Sequence, residues 1–124
     1  MIGQVILQSG YVLLEHEHVS DLEQVLDRVS AAKAVFDDGA PHRLLVDARY
    51  YIPAWKSEDA PKIAAAVLDA FPPSLRIAVL IKEQSTLSAV RPIMERLVAN
   101  GITLDRFRVY EDALAWLLSP ETAG

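Results

Sequence analysis

The residues best equipped for chemistry fall in one stretch. Residues 46–60 read VDARYYIPAWKSEDA and supply a carboxylate at Asp47, a guanidinium at Arg49, phenols at Tyr50 and Tyr51, an indole at Trp55 and a hydroxyl at Ser57. Amphipathic rings bury large area at small entropic cost and keep a polar handle, so Tyr50, Tyr51 and Trp55 suit a recognition surface for a protein partner. They suit equally a lid over a sheet edge or a contact between two copies of the chain. Asp47 closes an apolar run, and in open α/β sheets ligands gather beyond the carboxyl ends of the strands. Its alternative role is to hold the following loop by accepting backbone N–H bonds. Ser57, at the entry to a helix, has the residue type of a cap.

Other chemistries find less. In Glu15-His16-Glu17-His18 two histidines two apart on a strand share a face, as metal ligands would. A site needs a third ligand, His42 is the only other histidine, and no cysteine is present. No metal is expected, and the segment reads as a solvated strand end leading into a helix. Lys82, Gln84, Ser85 and Thr86 lie where a strand passes into a helix N-terminus, a geometry suited to an anion. They lack the glycines that would let a backbone cradle form. No nucleophile elbow, phosphate-binding loop or dinucleotide glycine pattern occurs. The chain is expected to be no enzyme and to carry no cofactor.

Composition narrows the field further. A length of 124 residues fits one domain, and 52% apolar with 23% charged residues is a globular balance. The absence of cysteine removes disulfides, thiolate metal sites and thiol nucleophiles. Net charge is −5 and the 12 basic residues are spread along the chain, which argues against a nucleic-acid partner. The longest apolar runs are about six to eight residues, far short of the roughly 20 that span a bilayer. The start of the chain lacks the pattern of a signal peptide, so no membrane insertion and a cytoplasmic location are expected.

These side chains must be held by a periodic scaffold. Residues 4–8 and 11–17 are β-rich runs joined by Ser9-Gly10, a pair that turns a hairpin. Ser20-Asp21-Leu22-Glu23 has the form of a capping box with Ser20 as cap. Leu22, Val25, Leu26, Val29 and Phe36 then follow a helical period that Gly39 and Pro41 end. Residues 43–47 and 77–81 are unalternating apolar runs, as in strands covered on both faces. Between them Ile63, Val67, Ala70 and Phe71 mark a helix that starts best with Asp59 as N-cap, which leaves Pro61 in the first turn. Leu87, Val90, Met94, Leu97 and Val98 define a third helix, in which Pro92 predicts a kink or a late start. Residues 106–110 alternate as a half-exposed strand, and a last helix opens at Glu111-Asp112 with Trp116 in the core. The order ββαβαβαβα implies an α/β fold with a mixed five-stranded sheet and about four helices over residues 1–118. Its later strands are parallel through right-handed crossovers, and residues 119–124 form a flexible tail.

Three stretches, LLVDAR at 44–49, RIAVLIKEQSTLSAVRPIMERL at 76–97 and FRVYEDALAWLL at 107–118, resemble the STAS-like family related to bacterial anti-sigma-factor antagonists. The last is similar to the family's closing strand and helix. The resemblance implies a STAS-like single domain and a regulatory, non-enzymatic role. In the family's best understood members a serine at the N-terminus of the helix after the third strand is phosphorylated, which switches binding to a partner kinase. Ser57 holds the corresponding place, which makes it the candidate phosphoacceptor. The family's Asp-Ser-Ser-Gly type of sequence is replaced here by Trp55-Lys56-Ser57-Glu58-Asp59, and two carboxylates next to the serine would repel a phosphate that the helix N-terminus would attract.

Two expectations follow. The first is a protein-interaction module that binds its partner through residues 47–59. The second is a carrier or sensor of a nucleotide or lipid-like molecule, as some STAS-like relatives are, with Asp47, Arg49 and the same aromatics lining an apolar pocket. A cavity of roughly 300 Å³ or more beside Asp47 would favour the carrier. A homodimer through an exposed first or last strand is also expected, with Arg106 and Arg108 facing outward as guards of the last one.

Overall fold

The computed structural model describes residues 4–16 and 19–119. Strands β1 (Gln4–Gln8) and β2 (Tyr11–Glu15) pair antiparallel with Gln8 opposite Tyr11, so Ser9-Gly10 is a two-residue turn. Gly10 takes a φ of 87°, a region that side chains with a Cβ avoid. A two-residue strand β3 (Val19–Ser20) leads into α1 (Leu22–Asp37), followed by β4 (Arg43–Asp47) and a second two-residue strand, β5 (Ile52–Pro53). A 3-10 turn at Ser57–Asp59 opens α2 (Ala60–Ala70), and β6 (Arg76–Leu80), α3 (Gln84–Ala99), β7 (Thr103–Phe107) and α4 (Tyr110–Leu118) complete the chain.

The five longer strands form one mixed sheet in the order β1-β2-β4-β6-β7, parallel everywhere except between β1 and β2. Side chains alternate across a strand, and the sheet sorts its residues accordingly. Val12, Leu14, Leu44, Ile77 and Val79 face the three helices α1, α2 and α3. Tyr11, Leu13, Leu45, Ala78 and Leu80 face α4 alone, through Ala113 and Leu117. The mixed five-stranded sheet and four helices expected from the sequence are therefore present. Arg76 fixes the far end of α4: its guanidinium lies 4.3 Å from the Trp116 ring and donates to the Ser119 carbonyl and hydroxyl. A cation there complements the helix dipole. Ser119, read as the start of a flexible tail, is thus tied to the sheet, while residues 120–124 lie outside the described residues.

Several boundaries differ from the sequence reading. The cap of α1 is Asp21, whose carboxylate accepts the Gln24 N–H at 2.9 Å while Gln24 accepts the Asp21 N–H at 2.8 Å. Ser20 is instead fully buried and accepts a bond from Arg28. The cause is β3, which pairs with β5 in a separate parallel ladder and draws Ser20 inward before the helix begins. The last strand runs over Thr103–Phe107, three residues earlier than expected, and α4 begins at Tyr110. Helix α3 starts at Gln84 and passes through Pro92, with Ser88 and Pro92 both exposed, so the Ser88 carbonyl that proline leaves unpaired lies on a wet face. The face of α3 that packs inward is centred on Thr86, Ile93 and Leu97, which turns Val98 out to 52% exposure.

Candidate functional site

The stretch 47–59 crosses the carboxyl end of the sheet, and its side chains divide between the two faces. Asp47, the last residue of β4, points to the α4 face. Its carboxylate accepts the Arg49 backbone N–H at 3.2 Å, Arg49 Nε at 3.0 Å and Arg49 Nη2 at 2.8 Å. Burial alone would push the Asp47 carboxyl up; the bonds from Arg49, with a smaller contribution from His16, outweigh it and hold the carboxyl below its ordinary value. The pair also holds the Arg49 guanidinium above its usual range. Because the clamp occupies both carboxylate oxygens, Asp47 takes the loop-holding role open to it in the sequence.

Arg49 is set between two phenol rings, its central carbon 5.8 Å from the centroids of both Tyr50 and Tyr110. Lys82 approaches Tyr50 from another element at 5.9 Å. The Tyr110 hydroxyl bonds that of Tyr11 across the α4 face, and burial together with that bond pushes Tyr110 up to about 12. Tyr50 itself is 66% exposed. Two residues on, Ile52 is 50% exposed, and the β3–β5 register sets it beside Val19, at 49%. Ile52 and Val19 thus set two large apolar side chains side by side on a short, paired ladder, and Tyr50 lies exposed in the turn before it.

Tyr51 turns the other way and is buried against the three-helix face. Its carbonyl accepts the buried Thr86 hydroxyl at 2.8 Å, its hydroxyl accepts the Trp55 indole N–H, and its ring stacks on His16 at 4.5 Å. Burial pushes the Tyr51 phenol up to about 12. Trp55 is half-buried against the same core. These two aromatics, read from the sequence as part of a partner surface, serve the interior and anchor the loop. Ser57 opens the 3-10 turn and is exposed. It caps nothing: Asp59 accepts the Lys56 N–H at 3.1 Å instead. Asp59 occupies the N-cap position of α2, with Pro61 in the first turn as the sequence indicated.

Under Tyr51 and Trp55 lies a cavity of about 110 Å³ between the sheet and helices α1–α3. Its walls are almost wholly apolar, among them Leu14, Val67, Val79 and Met94, and neither Asp47 nor Arg49 reaches it. Three wall residues, His16, Tyr51 and Trp55, carry polar atoms. His16 lines the cavity, and its Nδ1 is buried with no hydrogen-bond partner among the described residues. Part of the His16 residue remains accessible. Burial, reinforced by Arg28 and opposed by Asp47, lowers the ring from 6.5 to about 3.

The sequence reading passed over His16 as solvated, although its parity with Val12 and Leu14 on one strand face was visible. It also missed the contact of His42 Nδ1 with the Ser74 hydroxyl at 2.6 Å, made by residues 32 positions apart near the opposite end of the sheet. That pair is exposed, and among the described residues no carboxylate orients the imidazole. No group of three or more histidines, aspartates or glutamates suited to a metal occurs among the described residues; Glu17 and His18 lie outside them. No helix among the described residues is long and apolar enough to cross a membrane. No protein-family model matches the chain, and no curated protein matches it at a significant level.

Proposed function

We propose that this chain is a STAS-like, non-enzymatic regulatory module that binds a protein partner through residues 47–59. The observation that carries the reading is the exposure of Val19 and Ile52 beside one another on the β3–β5 ladder, with Tyr50 exposed two residues before Ile52 on a segment fixed from beneath. Contiguous exposed apolar residues on a monomer mark interaction sites more often than chance. Rigid support adds to this, because a surface already ordered by the Asp47–Arg49 clamp and by buried Tyr51 loses little freedom on docking. The contact therefore shifts from Tyr51 and Trp55, which supply the support, to Tyr50 and Ile52. Ser57 belongs to the same proposal as an exposed hydroxyl at the far end of the segment, where a phosphate would alter the charge beside the partner.

Affinity purification of the tagged protein from its own cells tests this. A partner captured by the wild type and lost with Tyr50→Ser plus Ile52→Ser, while circular dichroism is unchanged, supports the reading. Equal capture by both moves the interface off this face. Phosphorylation at Ser57, read by intact mass before and after phosphatase, tests the switch separately.

Self-association is part of the proposal as well. Edge strand β1 reads QVILQ, with no charge to guard its free backbone groups and with Leu7 exposed, whereas edge strand β7 carries Arg106 outward. A homodimer would pair β1 with its copy, and light scattering of wild type against Leu7→Lys, at an exposed position of that strand, reads it.

A further inference from the structure

We infer that the crevice between the carboxyl ends of β6 and β7 binds a small phosphate monoester with an apolar ring or chain. The crevice is a product of topology. Strands β6 and β7 are parallel neighbours, yet β6 feeds α3, which packs with α1 and α2 on one face of the sheet, whereas β7 feeds α4, which packs alone on the other. Adjacent connections that diverge in this way leave the strand ends uncovered, and in open α/β sheets that is where ligands gather. The β6–β7 ladder ends with the Ile81 N–H donating to the Phe107 carbonyl at 2.9 Å, and both residues line the crevice. Its volume is about 310 Å³, within the range of small-molecule sites.

The chemistry of the occupant follows from the lining. Lys82, just past β6, and Arg106 and Arg108, at the end of β7, bring three cations to the crevice against the single carboxylate of Glu83. None of the three forms an ion pair with a described residue. Asp105, next to Arg106 in the chain, instead accepts the Arg106 backbone N–H at 2.8 Å. A cleft lined by one sign of charge concentrates ions of the other. Three cations less one carboxylate leave a surplus of two, and a phosphate monoester carries about two negative charges at neutral pH, where a carboxylate carries one. The positive charge comes from side chains, so the glycines whose absence rules out a backbone cradle are not needed. Leu87 and Phe107 add apolar wall, which suits a ring or short chain beside the phosphate.

The probes are phenyl phosphate and inorganic phosphate, titrated into the intact, labelled protein while its amide shifts are followed. The expected result is saturable shifts centred on residues 81–87 and 106–108, with phenyl phosphate bound more tightly than inorganic phosphate and both weakened as salt is raised. Arg106→Gln, at an exposed position, should weaken phenyl phosphate by about two- to fivefold, the worth of one exposed ion pair. Lys82→Gln should act alike and serves if Arg106→Gln does not fold, although Lys82 also approaches Tyr50 and Arg106 is therefore the cleaner test. Arg96→Gln removes the same charge from the exposed last turn of α3, outside the crevice, and should change binding little. Equal weakening by Arg96→Gln and Arg106→Gln would reduce the effect to net charge and overturn the inference. So would saturable shifts that miss the crevice, no shifts at all, or equal binding of the two probes.

Discussion

Acid should destabilise this protein through one residue, His16, before its carboxylates titrate. In the folded chain burial and the positive charge of Arg28 on α1 keep the ring neutral down to about pH 3, against the pull of Asp47 on β4. In the unfolded chain it titrates near 6.5. Between those values the unfolded state binds a proton that the folded state refuses, so stability falls as pH falls, by roughly 1.4 kcal/mol per pH unit. From about pH 6.5, where the unfolded ring is half protonated, to about pH 4.5 the loss sums to roughly 2.3 kcal/mol, a large share of the 5 to 15 kcal/mol that holds an ordinary domain. Asp47 contributes in a different window. Its folded carboxyl lies below its ordinary value, so its stabilisation is present above about pH 4 and is lost only as pH falls through the lowered value. Urea unfolding followed by the fluorescence of Trp55 and Trp116, at about pH 7 and about pH 4.5, measures the difference. The wild type should lose roughly 2 to 3 kcal/mol more than His16→Leu over that interval. Parallel losses in the two proteins would mean that the ring takes up its proton in place, and the burial of the His16 ring would then be refuted.

Three further outcomes are expected. Asp21→Ala removes the acceptor for the Gln24 N–H and should cost about 1 kcal/mol in chemical denaturation, whereas Glu23→Ala, which lies outside the capping box, should cost much less. Arg49→Ala removes the two guanidinium bonds and the charge that oppose the burial of Asp47 and leaves the residue-49 backbone N–H, so the Asp47 carboxyl should titrate higher in a carbon-detected NMR titration; an unchanged value would show that the clamp is not formed in solution. Leu45→Ala, at a fully buried position on the α4 face, should cost roughly 2 to 5 kcal/mol and shift the thermal midpoint down by several degrees or more.

What could be read from the sequence was whatever depends on local period. The hairpin, the four helices and the apolar runs of β4 and β6 follow from residue spacing and from breakers such as Gly39, whose φ of 99° ends α1 as expected. What could not be read depends on contacts between distant positions. The ladder of Val19 with Ile52 joins residues far apart in sequence and too few to show alternation, and it is this ladder that displaces the cap from Ser20 to Asp21. The division of Tyr50 from Tyr51 was hidden for a related reason. Adjacent aromatics look alike in composition, and only the packing of Thr86 and His16 against one of them decides which faces inward.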